Sequence, residues 1–393
     1  MFETLQAQPA DKILALMQMY KDDPRETKID LGVGVYKDAT GLTPVMRAVK
    51  AAEHQLWEAQ TSKAYTGLAG DPAFGDAMVQ MVLGDAVPRA QVAAAATPGG
   101  TGAIRQAFEL IQMARPQARV FVSNPTWPNH LSILKYLGME MVPYRYFDDE
   151  TRGVDFDGMI ADLKTAQKGD VVLLHGCCHN PTGANLNAAE WDAVIKVLQD
   201  TGATPMIDIA YQGFGDGLEE DAFGLRAFAA KGIELLVASS FSKNFGLYNQ
   251  RVGAMTVVAT AAEAAQNAMS HVKLCIRTNY SNPPAHGARL VATVLADSEL
   301  RTIWEQDVTI MRDRINSMRR LFVETMAAKT DKADFSFVAT QRGMFSFSGL
   351  SKEQVLEIRE KHSVYIVGSG RISIAGITSS NIDPLCSALA SVL

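Results

Sequence analysis

The sequence predicts an α/β fold with a mostly parallel sheet, because short apolar runs alternate with helical patterns from about residue 45 to 260. The run at residues 171–174 is entirely apolar and lies between Asp170 and Gly176, which is typical of a parallel strand covered on both faces. Further strands of this kind are predicted at residues 120–122, 206–209 and 235–238. Ligands bind beyond the carboxyl ends of such strands, so the polar residues there are candidates for a functional site.

The helices between the strands are indicated by apolar residues at helical spacing. One helix is predicted to begin after Asn187, which can cap it, with Glu190 at the capping-box position. Its buried side is formed by Trp191, Val194, Ile195 and Leu198. A similar stripe follows a glycine-rich segment and consists of Ile104, Ala107, Phe108 and Ile111.

A smaller α+β part is predicted after about residue 298. Apolar spacing indicates a long helix through residue 325, and short strands are expected at residues 344–347 and 372–374. Near the N-terminus, residues 31–36 are expected to form an irregular strand or loop. The helix before them is predicted from the spacing of Ile13, Leu16, Met17 and Tyr20.

The composition is that of a globular enzyme, with 47% hydrophobic and 20% charged residues among 393. The formal net charge of −6 does not supply the basic face that nucleic-acid phosphates require, so we expect no nucleic-acid partner. Residues 1–6 show no signal-peptide pattern, and no apolar run is long enough for a membrane span. The four cysteines do not resemble a disulfide framework, and we therefore expect a cytoplasmic protein.

Lys243 is the residue most indicative of function, because it follows an apolar strand and a pair of hydroxyl groups. Most lysines are solvated surface charges, but this one is preceded by Ser240 and Ser242 and followed by Arg251. A lysine amine can form a Schiff base with an aldehyde, and serine hydroxyls and a guanidinium can bind the phosphate of the same molecule. The combination predicts a pyridoxal-phosphate site.

The same segment also matches the S-x-x-K pattern of penicillin-recognising enzymes. That pattern is accompanied by S-D-N and K-T-G tripeptides, and the chain contains neither. This alternative is therefore disfavoured.

Asp208 is a lone carboxylate in an apolar strand, where a buried charge needs a partner. A helix cap or an ion pair would be a purely structural partner. A functional partner would be a pyridine nitrogen, because a carboxylate keeps that nitrogen protonated and makes the ring an electron acceptor. Tyr211, three residues on, either packs as an ordinary aromatic residue or donates its hydroxyl to the ring oxygen.

A glycine-rich segment, Gly99-Gly100-Thr101-Gly102, precedes the helix that contains Ile104. Glycine lets backbone N–H groups approach an anion, and a helix N-terminus favours negative charge. Such turns are common before helices, so the segment is informative only in combination with Ser240 and Arg251. Together they predict a phosphate-binding cup.

The remaining candidates each have a structural alternative. Residues 175–179, His-Gly-Cys-Cys-His, look like a metal cluster, but their spacing fits no usual zinc pattern, so we expect buried structural side chains and no metal. Trp127 either belongs to the core or stacks on a ring. Lone arginines are usually surface residues, but Arg371 follows Gly-Ser-Gly in a loop-like context that can present its guanidinium to a carboxylate.

Four motifs together resemble the class I aspartate and aromatic-amino-acid aminotransferases, and most of all the bacterial aromatic-amino-acid enzymes. The motifs are Cys178-His179-Asn180-Pro181-Thr182-Gly183, Asp208-Ile209-Ala210-Tyr211, Ser240-Phe241-Ser242-Lys243 and Ile276-Arg277-Thr278-Asn279-Tyr280-Ser281-Asn282-Pro283-Pro284. The resemblance implies the type I fold of pyridoxal-phosphate transferases, with a mostly parallel seven-stranded sheet in a large domain of residues 45–310. It also implies a small α+β domain of residues 12–44 and 311–393, and an arm of residues 1–11 that reaches a partner subunit.

The resemblance implies a role for each matching residue. Lys243 would hold the cofactor and move the proton of the substrate Cα, and Asp208, supported by His130, would pair with the ring nitrogen. The other implied cofactor ligands are Asn180 and Tyr211 at the ring oxygen and Trp127 on the ring face. The implied phosphate ligands are Gly100, Thr101, Ser240 and Arg251 of the same chain, joined by Tyr65 of the partner subunit. The implied substrate-binding residues are Gly34, Trp127, Asn180, Phe345, Arg371 at the α-carboxylate and Arg277 of the partner subunit at the side-chain carboxylate. Cis bonds are implied at Asn124–Pro125 and Asn180–Pro181.

The expected function is transfer of the amino group from Phe, Tyr, Trp, Asp and Glu to 2-oxoglutarate by a ping-pong mechanism in a cytoplasmic homodimer with shared active sites. Ala64 beside Tyr65 is smaller than the asparagine that aspartate-specific members of the resembled family have there, and this favours aromatic substrates. The residues that resemble the aspartate-specific members are Val35, Lys37, Thr43, Thr101 and Asn282. A strict aspartate aminotransferase is therefore an alternative.

Two further alternatives are another reaction on the same cofactor, such as decarboxylation or β-elimination, and a non-catalytic binding module. Arg371 and Arg277 favour transamination over decarboxylation, because they would retain both carboxylates. The presence of Lys243 and Asp208 disfavours a module without catalysis.

Overall fold

The structure, a computed structural model, describes residues 1–8 and 10–393. The chain forms two compact units. The large unit contains Thr43–Arg314 and Gln341–Gly343, and the small unit contains Met1–Leu42, Ile315–Thr340 and Met344–Leu393. The domain boundaries expected after residues 44 and 310 stay a prediction. The arm expected at residues 1–11 also stays a prediction, and residue 9 of it lies outside the described residues.

The large unit is built on a seven-stranded sheet. In spatial order its strands are β2 (Val92–Pro98), β8 (Val252–Val258), β7 (Leu235–Ser240), β6 (Thr204–Ile209), β5 (Val171–His175), β3 (Arg119–Asn124) and β4 (Glu140–Arg145). Only β8 runs antiparallel to its neighbours, and the other adjacent pairs are parallel. The predicted mostly parallel sheet is therefore confirmed.

Helices of the large unit accompany this sheet, and their apolar sides supply its core. They are α2 (Arg47–Ala59), α3 (Pro72–Leu83), α4 (Gly99–Ala114), α5 (Pro128–Leu137), α6 (Phe156–Leu163), α7 (Ala188–Thr201), α8 (Phe223–Ala229), α9 (Ala262–Asn279) and α10 (His286–Ala296). The capping box of α7 is confirmed, because Asn187 Oδ1 accepts from the Glu190 N–H at 3.0 Å and Glu190 Oε2 accepts from the Asn187 N–H at 2.7 Å. One core cluster joins α4 to the sheet through Phe108, Val120 and Leu173.

The small unit contains two short two-stranded sheets. In one, β1 (Ile29–Asp30) pairs in parallel with β10 (Val364–Tyr365), and in the other β9 (Phe345–Phe347) pairs antiparallel with β11 (Arg371–Ser373). The remaining helices are α1 (Lys12–Asp22), α11 (Ser298–Lys329), α12 (Phe337–Thr340), α13 (Lys352–His362) and α14 (Ile382–Ser391). The long predicted helix is α11, which ends four residues later than expected and begins within the large unit.

Short 3₁₀ segments complete the described structure at Phe2–Thr4, Arg89–Gln91, Glu220–Ala222 and Ile374–Gly376. Among the residues that the structure describes, no helix has both the length and the apolar character needed to cross a bilayer.

Candidate active site

The carboxyl ends of β5, β6 and β7 border a cavity of ≈170 Å³ in the large unit. Asp208 of β6 lies opposite His175 of β5 in the parallel register, and Lys243 follows β7 by three residues. The cavity brings together many of the residues predicted to bind a cofactor, which are Gly100, Thr101, Trp127, Asn180, Asp208, Tyr211, Ser240, Lys243 and Arg251. These side chains are far apart in sequence, and the sheet places them around one space.

The carboxylate of Asp208 begins a chain of buried hydrogen bonds. Its Oδ2 lies 3.0 Å from His130 Nε2, and this nitrogen must carry the hydrogen because a carboxylate only accepts. His130 Nδ1 lies 2.8 Å from Thr126 Oγ1, which in turn lies 3.1 Å from His175 Nε2. Thr126 Oγ1 therefore bridges the two histidines, and the chain links His175 to Asp208 through His130.

The surroundings of Asp208 keep it ionised. Burial raises the pKa of this carboxyl group, but the hydrogen bond from His130 and the electrostatic influence of His130, His175 and, least, Lys243 outweigh that effect, so the pKa lies below its ordinary value. Burial and the proximity of His130 lower the pKa of His175 to about 3, so its ring is neutral near pH 7. An ionised carboxylate in this position is suited to bind a cationic ring nitrogen.

The neutral, half-buried ring of His175 should make folding sensitive to mild acid. Its pKa is about 3 in the folded chain and 6.5 for an ordinary imidazole, so between these values the unfolded chain binds a proton that the folded chain does not. Stability should therefore fall as the pH drops below 6.5, and one such group contributes up to about 1.4 kcal/mol per pH unit. We expect His175→Gln, which has no titrating ring, to lose unfolding free energy less steeply than the wild type between neutral pH and about pH 4.5.

Urea unfolding at matched cofactor content measures these slopes. Equal slopes in the two proteins would show that His175 does not resist protonation in the folded chain.

Lys243 shares its side of the cavity with a phenol and an amide. Its Nζ lies 5.0 Å from the ring centroid of Tyr211, and Tyr211 Oη accepts from Asn180 Nδ2 at 3.4 Å. Asn180, Tyr211 and Lys243 follow the neighbouring strands β5, β6 and β7. The phenol and the amide are therefore placed together, as binding of one anionic oxygen requires.

The first turn of α4 approaches β7 and β8 so closely that glycine is needed. A Cβ on Gly100 would lie 3.0 Å from Ser240 Cβ, and one on Gly253 would lie 2.3 Å from the carbonyl carbon of Gly99. The Gly99 N–H donates to the carbonyl of Arg251 at 2.9 Å, and Arg251 has a φ of 56°. The helix N-terminus, the Ser240 hydroxyl and the Arg251 guanidinium are the groups that a phosphate dianion prefers.

The family of the chain follows from comparison with known proteins. Residues 26–389 match the family model described as aminotransferase class I and II, which is well over half of the chain. The chain belongs to this aminotransferase family. The predicted resemblance is confirmed.

Full-length relatives of this aminotransferase include aspartate and aromatic-amino-acid aminotransferases. The chain is 52% identical to an aspartate aminotransferase of Escherichia coli (strain K12) and 51% identical to an aromatic-amino-acid aminotransferase of Paracoccus denitrificans, with 100% of both chains covered in each comparison. It is also similar to the crystal structure of the aromatic-amino-acid aminotransferase from Burkholderia pseudomallei covalently bound to pyridoxal phosphate. That comparison has a TM-score of 0.97 and 43% identity, and covers 100% of this chain and 99% of the other. The predicted aminotransferase fold is confirmed.

In the small unit of the aminotransferase, three of the predicted substrate-binding residues lie close together. The guanidinium carbon of Arg371 lies 4.1 Å from the ring centroid of Phe345, and Arg371 Nη2 donates to the carbonyl of Gly32 at 2.7 Å. A Cβ on Gly34 would lie 3.0 Å from Phe345 Cζ. The ring of Phe345 therefore supports the arginine and excludes a side chain at Gly34.

The two residues predicted to act in the partner's site do not line the cavity of their own chain. Tyr65 is 94% exposed, and Arg277 is exposed in the last turn of α9, where it donates to Ser281 Oγ. The prediction that both belong to a partner's site is not tested by a single chain.

The cavity also contains residues that the sequence did not reveal as part of a site. Ile104 and Ala210 line it, and Thr126 connects His130 to His175. His175 and Cys177 line it too, although the sequence singled them out only as members of a metal-like cluster. His179 has a structural role, because its ring nitrogens lie 3.1 Å from Ser123 Oγ and 2.9 Å from Thr182 Oγ1. The peptide bonds Asn124–Pro125 and Asn180–Pro181 are both cis, as predicted.

Proposed function

We propose that this aminotransferase uses pyridoxal phosphate to transfer amino groups from aromatic and dicarboxylic amino acids to 2-oxoglutarate. The proposal rests on one cavity that combines the Lys243 amine, the buried Asp208 carboxylate and the phosphate-type donors around Ser240 and Arg251. The names of the Escherichia coli and Paracoccus relatives support the two substrate classes, and the Burkholderia structure supports the cofactor.

The donors of the cavity fit pyridoxal phosphate group by group. Lys243 offers an amine for the aldehyde, Asp208 an ionised carboxylate for the ring nitrogen, and the start of α4 with Arg251 offers donors for the phosphate. Trp127 adds a flat apolar surface. When bound, the cofactor supplies an electron-poor ring that stabilises the electron pair left on the substrate Cα.

The side chains of the protein position protons around that ring. We propose that Lys243 Nζ takes the proton from the substrate Cα, as a base that is already within reach. Asp208 keeps its negative charge while His130 donates to it. Tyr211 and Asn180 donate toward the ring oxygen. Each role uses a hydrogen-bonding group that lines the cavity or contacts a residue that does.

Arg371 is the proposed ligand of the substrate α-carboxylate. A guanidinium binds a carboxylate bidentately only when its plane is held in a fixed orientation. The Phe345 ring on one face and the Gly32 carbonyl at Nη2 provide that restraint.

Arg277→Leu should separate the two substrate classes. Loss of a charge-assisted bidentate pair should lower kcat/KM for aspartate by about 10²–10³-fold, whereas phenylalanine has no side-chain carboxylate and should change by less than about fivefold. Steady-state kinetics with both donors measures the difference. Arg115→Leu, which removes an exposed arginine beyond the end of α4, is the matched control. Equal losses of kcat/KM for aspartate and phenylalanine would show that Arg277 does not bind the side-chain carboxylate of the substrate.

We further propose a homodimer in which Tyr65 and Arg277 complete the active site of the partner. Both side chains are exposed, and neither lines the cavity of its own chain, which supports this arrangement. Residues 1–11 would extend onto the other subunit.

Mixed dimers of Lys243→Ala and Arg277→Leu chains should recover activity toward aspartate. In a hybrid, one site receives an intact Lys243 from one chain and an intact Arg277 from the other. Random pairing makes half of the dimers hybrids, so about a quarter of wild-type activity should return after joint refolding. No recovery would mean that both residues act within one chain.

A strict aspartate aminotransferase is the second candidate, because the Escherichia coli relative with that name is as similar as the aromatic one. The ratio of kcat/KM for phenylalanine to that for aspartate decides between the two candidates. A ratio below about 10⁻³ would favour the strict enzyme, since the two donors would then differ by more than about 4 kcal/mol.

We also place the enzyme in the cytoplasm. No disulfide joins its four cysteines, all of which are buried and described, and thiols persist in a reducing compartment. Activity confined to the periplasmic fraction of cells would contradict this location.

A further inference from the structure

Cys177 and Cys178 form a buried pair of neighbouring thiols at the wall of the cavity. The Cys177 thiol is hydrogen-bonded to Cys178, and the two sulfur atoms and a carboxylate oxygen of Asp221 all lie within 4.8 Å of one another. Cys177 lines the cavity together with Lys243. Cys177 is therefore reachable from the cavity, and Cys178 lies beside it as the next residue of the chain.

The backbone holds this pair in place. Cys178 has a φ of 51°, and a Cβ on Gly343 would lie 2.4 Å from Cys178 Cβ, so a side chain at 343 would displace the cysteine. Asp221 is fixed as well, because it accepts N–H donors from Gly213 and Gly215 at 2.8 Å each. Two sulfur atoms within 4.8 Å of one another are close enough for both to approach one soft atom.

We infer that Cys177 and Cys178 form a binding site for trivalent arsenic, in the form of arsenous acid. In the binding step two S–H bonds and two As–O bonds break, two As–S bonds and two water molecules form, and arsenic remains trivalent. The third hydroxyl stays on arsenic and can donate to Asp221. No oxidant, reductant or further reactant is needed.

The charge of the cavity favours arsenous acid over a divalent metal ion. Lys243 and Arg251 line the same cavity, and their positive charges oppose the approach of a zinc or cadmium ion. Arsenous acid is uncharged near neutral pH and is small enough for a space of ≈170 Å³. Because cofactor and arsenic would approach through the same cavity, capture should be faster in the cofactor-free chain.

The test is the amount of arsenic retained by the full-length protein after incubation with sodium arsenite and gel filtration. The cofactor-free wild type should retain one arsenic per chain. Cys177→Ala and Cys178→Ala should each bind at least about 10²-fold more weakly, because one thiol loses the chelate advantage of two. Cys386→Ala, which removes a buried thiol in α14, should bind like the wild type.

A second measurement uses the wild type alone and does not depend on the folding of a variant. A dithiol such as 2,3-dimercaptopropanol should release the arsenic, and the same concentration of a monothiol should not. The inference is overturned if the wild type retains no arsenic, if Cys177→Ala retains as much as the wild type, or if a monothiol releases it equally well. None of these readouts uses turnover, so the result is independent of the proposed function.

Discussion

Alanine in place of Lys243 should eliminate transamination and leave the cofactor bound without a covalent link. The variant lacks both the amine that holds the aldehyde and the base that takes the Cα proton, so kcat should fall by at least about 10⁴-fold. Asp208, Ser240 and Arg251 remain in the cavity wall and should still bind the ring and the phosphate.

Two measurements separate these effects. Steady-state rates with aspartate and phenylalanine report the loss of turnover, and the absorbance of gel-filtered protein reports the cofactor that remains. Borohydride should fix the cofactor to the wild type and not to Lys243→Ala. Lys231→Ala, which removes an exposed lysine after α8, is the control and should behave like the wild type. Normal turnover by Lys243→Ala would remove the residue from the mechanism.

Asparagine in place of Asp208 should reduce kcat by about 10²–10³-fold, because a neutral amide cannot stabilise a positive ring nitrogen as a buried carboxylate does. The amide keeps the shape of the side chain and can still accept from His130. The loss of kcat in Asp208→Asn therefore measures the contribution of the negative charge alone. The low pKa of Asp208 means that the wild type retains this charge throughout the neutral range.

The hydrogen bond from His130 to Asp208 should contribute less to kcat than the negative charge of Asp208 does. His130→Asn removes the donor that faces Asp208 Oδ2, and we expect a loss of about tenfold, the value of one hydrogen bond to a charged group. Measuring kcat of His130→Asn and of Asp208→Asn with the same donor amino acid shows which variant loses more activity. A larger loss in His130→Asn than in Asp208→Asn would show that the charge of Asp208 is not the main contribution.

The sequence is informative where local pattern and chemistry coincide. Apolar runs predict β5, β6 and β7, and the polar residues at or just beyond the ends of these runs include Asp208 and Lys243, which do line the cavity. The capping box at Asn187 is predictable because both of its hydrogen bonds form within four residues of sequence.

Three strands of the large sheet were not predicted, β2, β4 and β8, and the sequences of β2 and β4 are atypical of strands. Strand β2 consists largely of alanines, residues 93–96, and is a strand because it pairs with β8 along its whole length. Strand β4 contains Pro143, which is tolerated because β4 is at the edge of the sheet and needs fewer backbone donors. Tertiary pairing decides both cases, and local propensity does not.

The residues behind the cavity could not be predicted from the sequence either. Thr126 and His175 are 49 positions apart and meet only because β3 and β5 are neighbours. Nothing in the local pattern of either residue indicates that they link to Asp208 through His130. Similarly, only the folded small unit shows that Phe345 supports Arg371.

The half-reaction with L-glutamate tests the central claim most directly. The claim is that Lys243 and Asp208 bind one pyridoxal ring, which accepts the amino group of the donor. Purified enzyme mixed with glutamate alone should lose the absorbance of the aldehyde form of the cofactor and release one 2-oxoglutarate per active site, and added 2-oxoglutarate should restore the spectrum. An unchanged spectrum, or release of carbon dioxide in place of 2-oxoglutarate, would contradict the account.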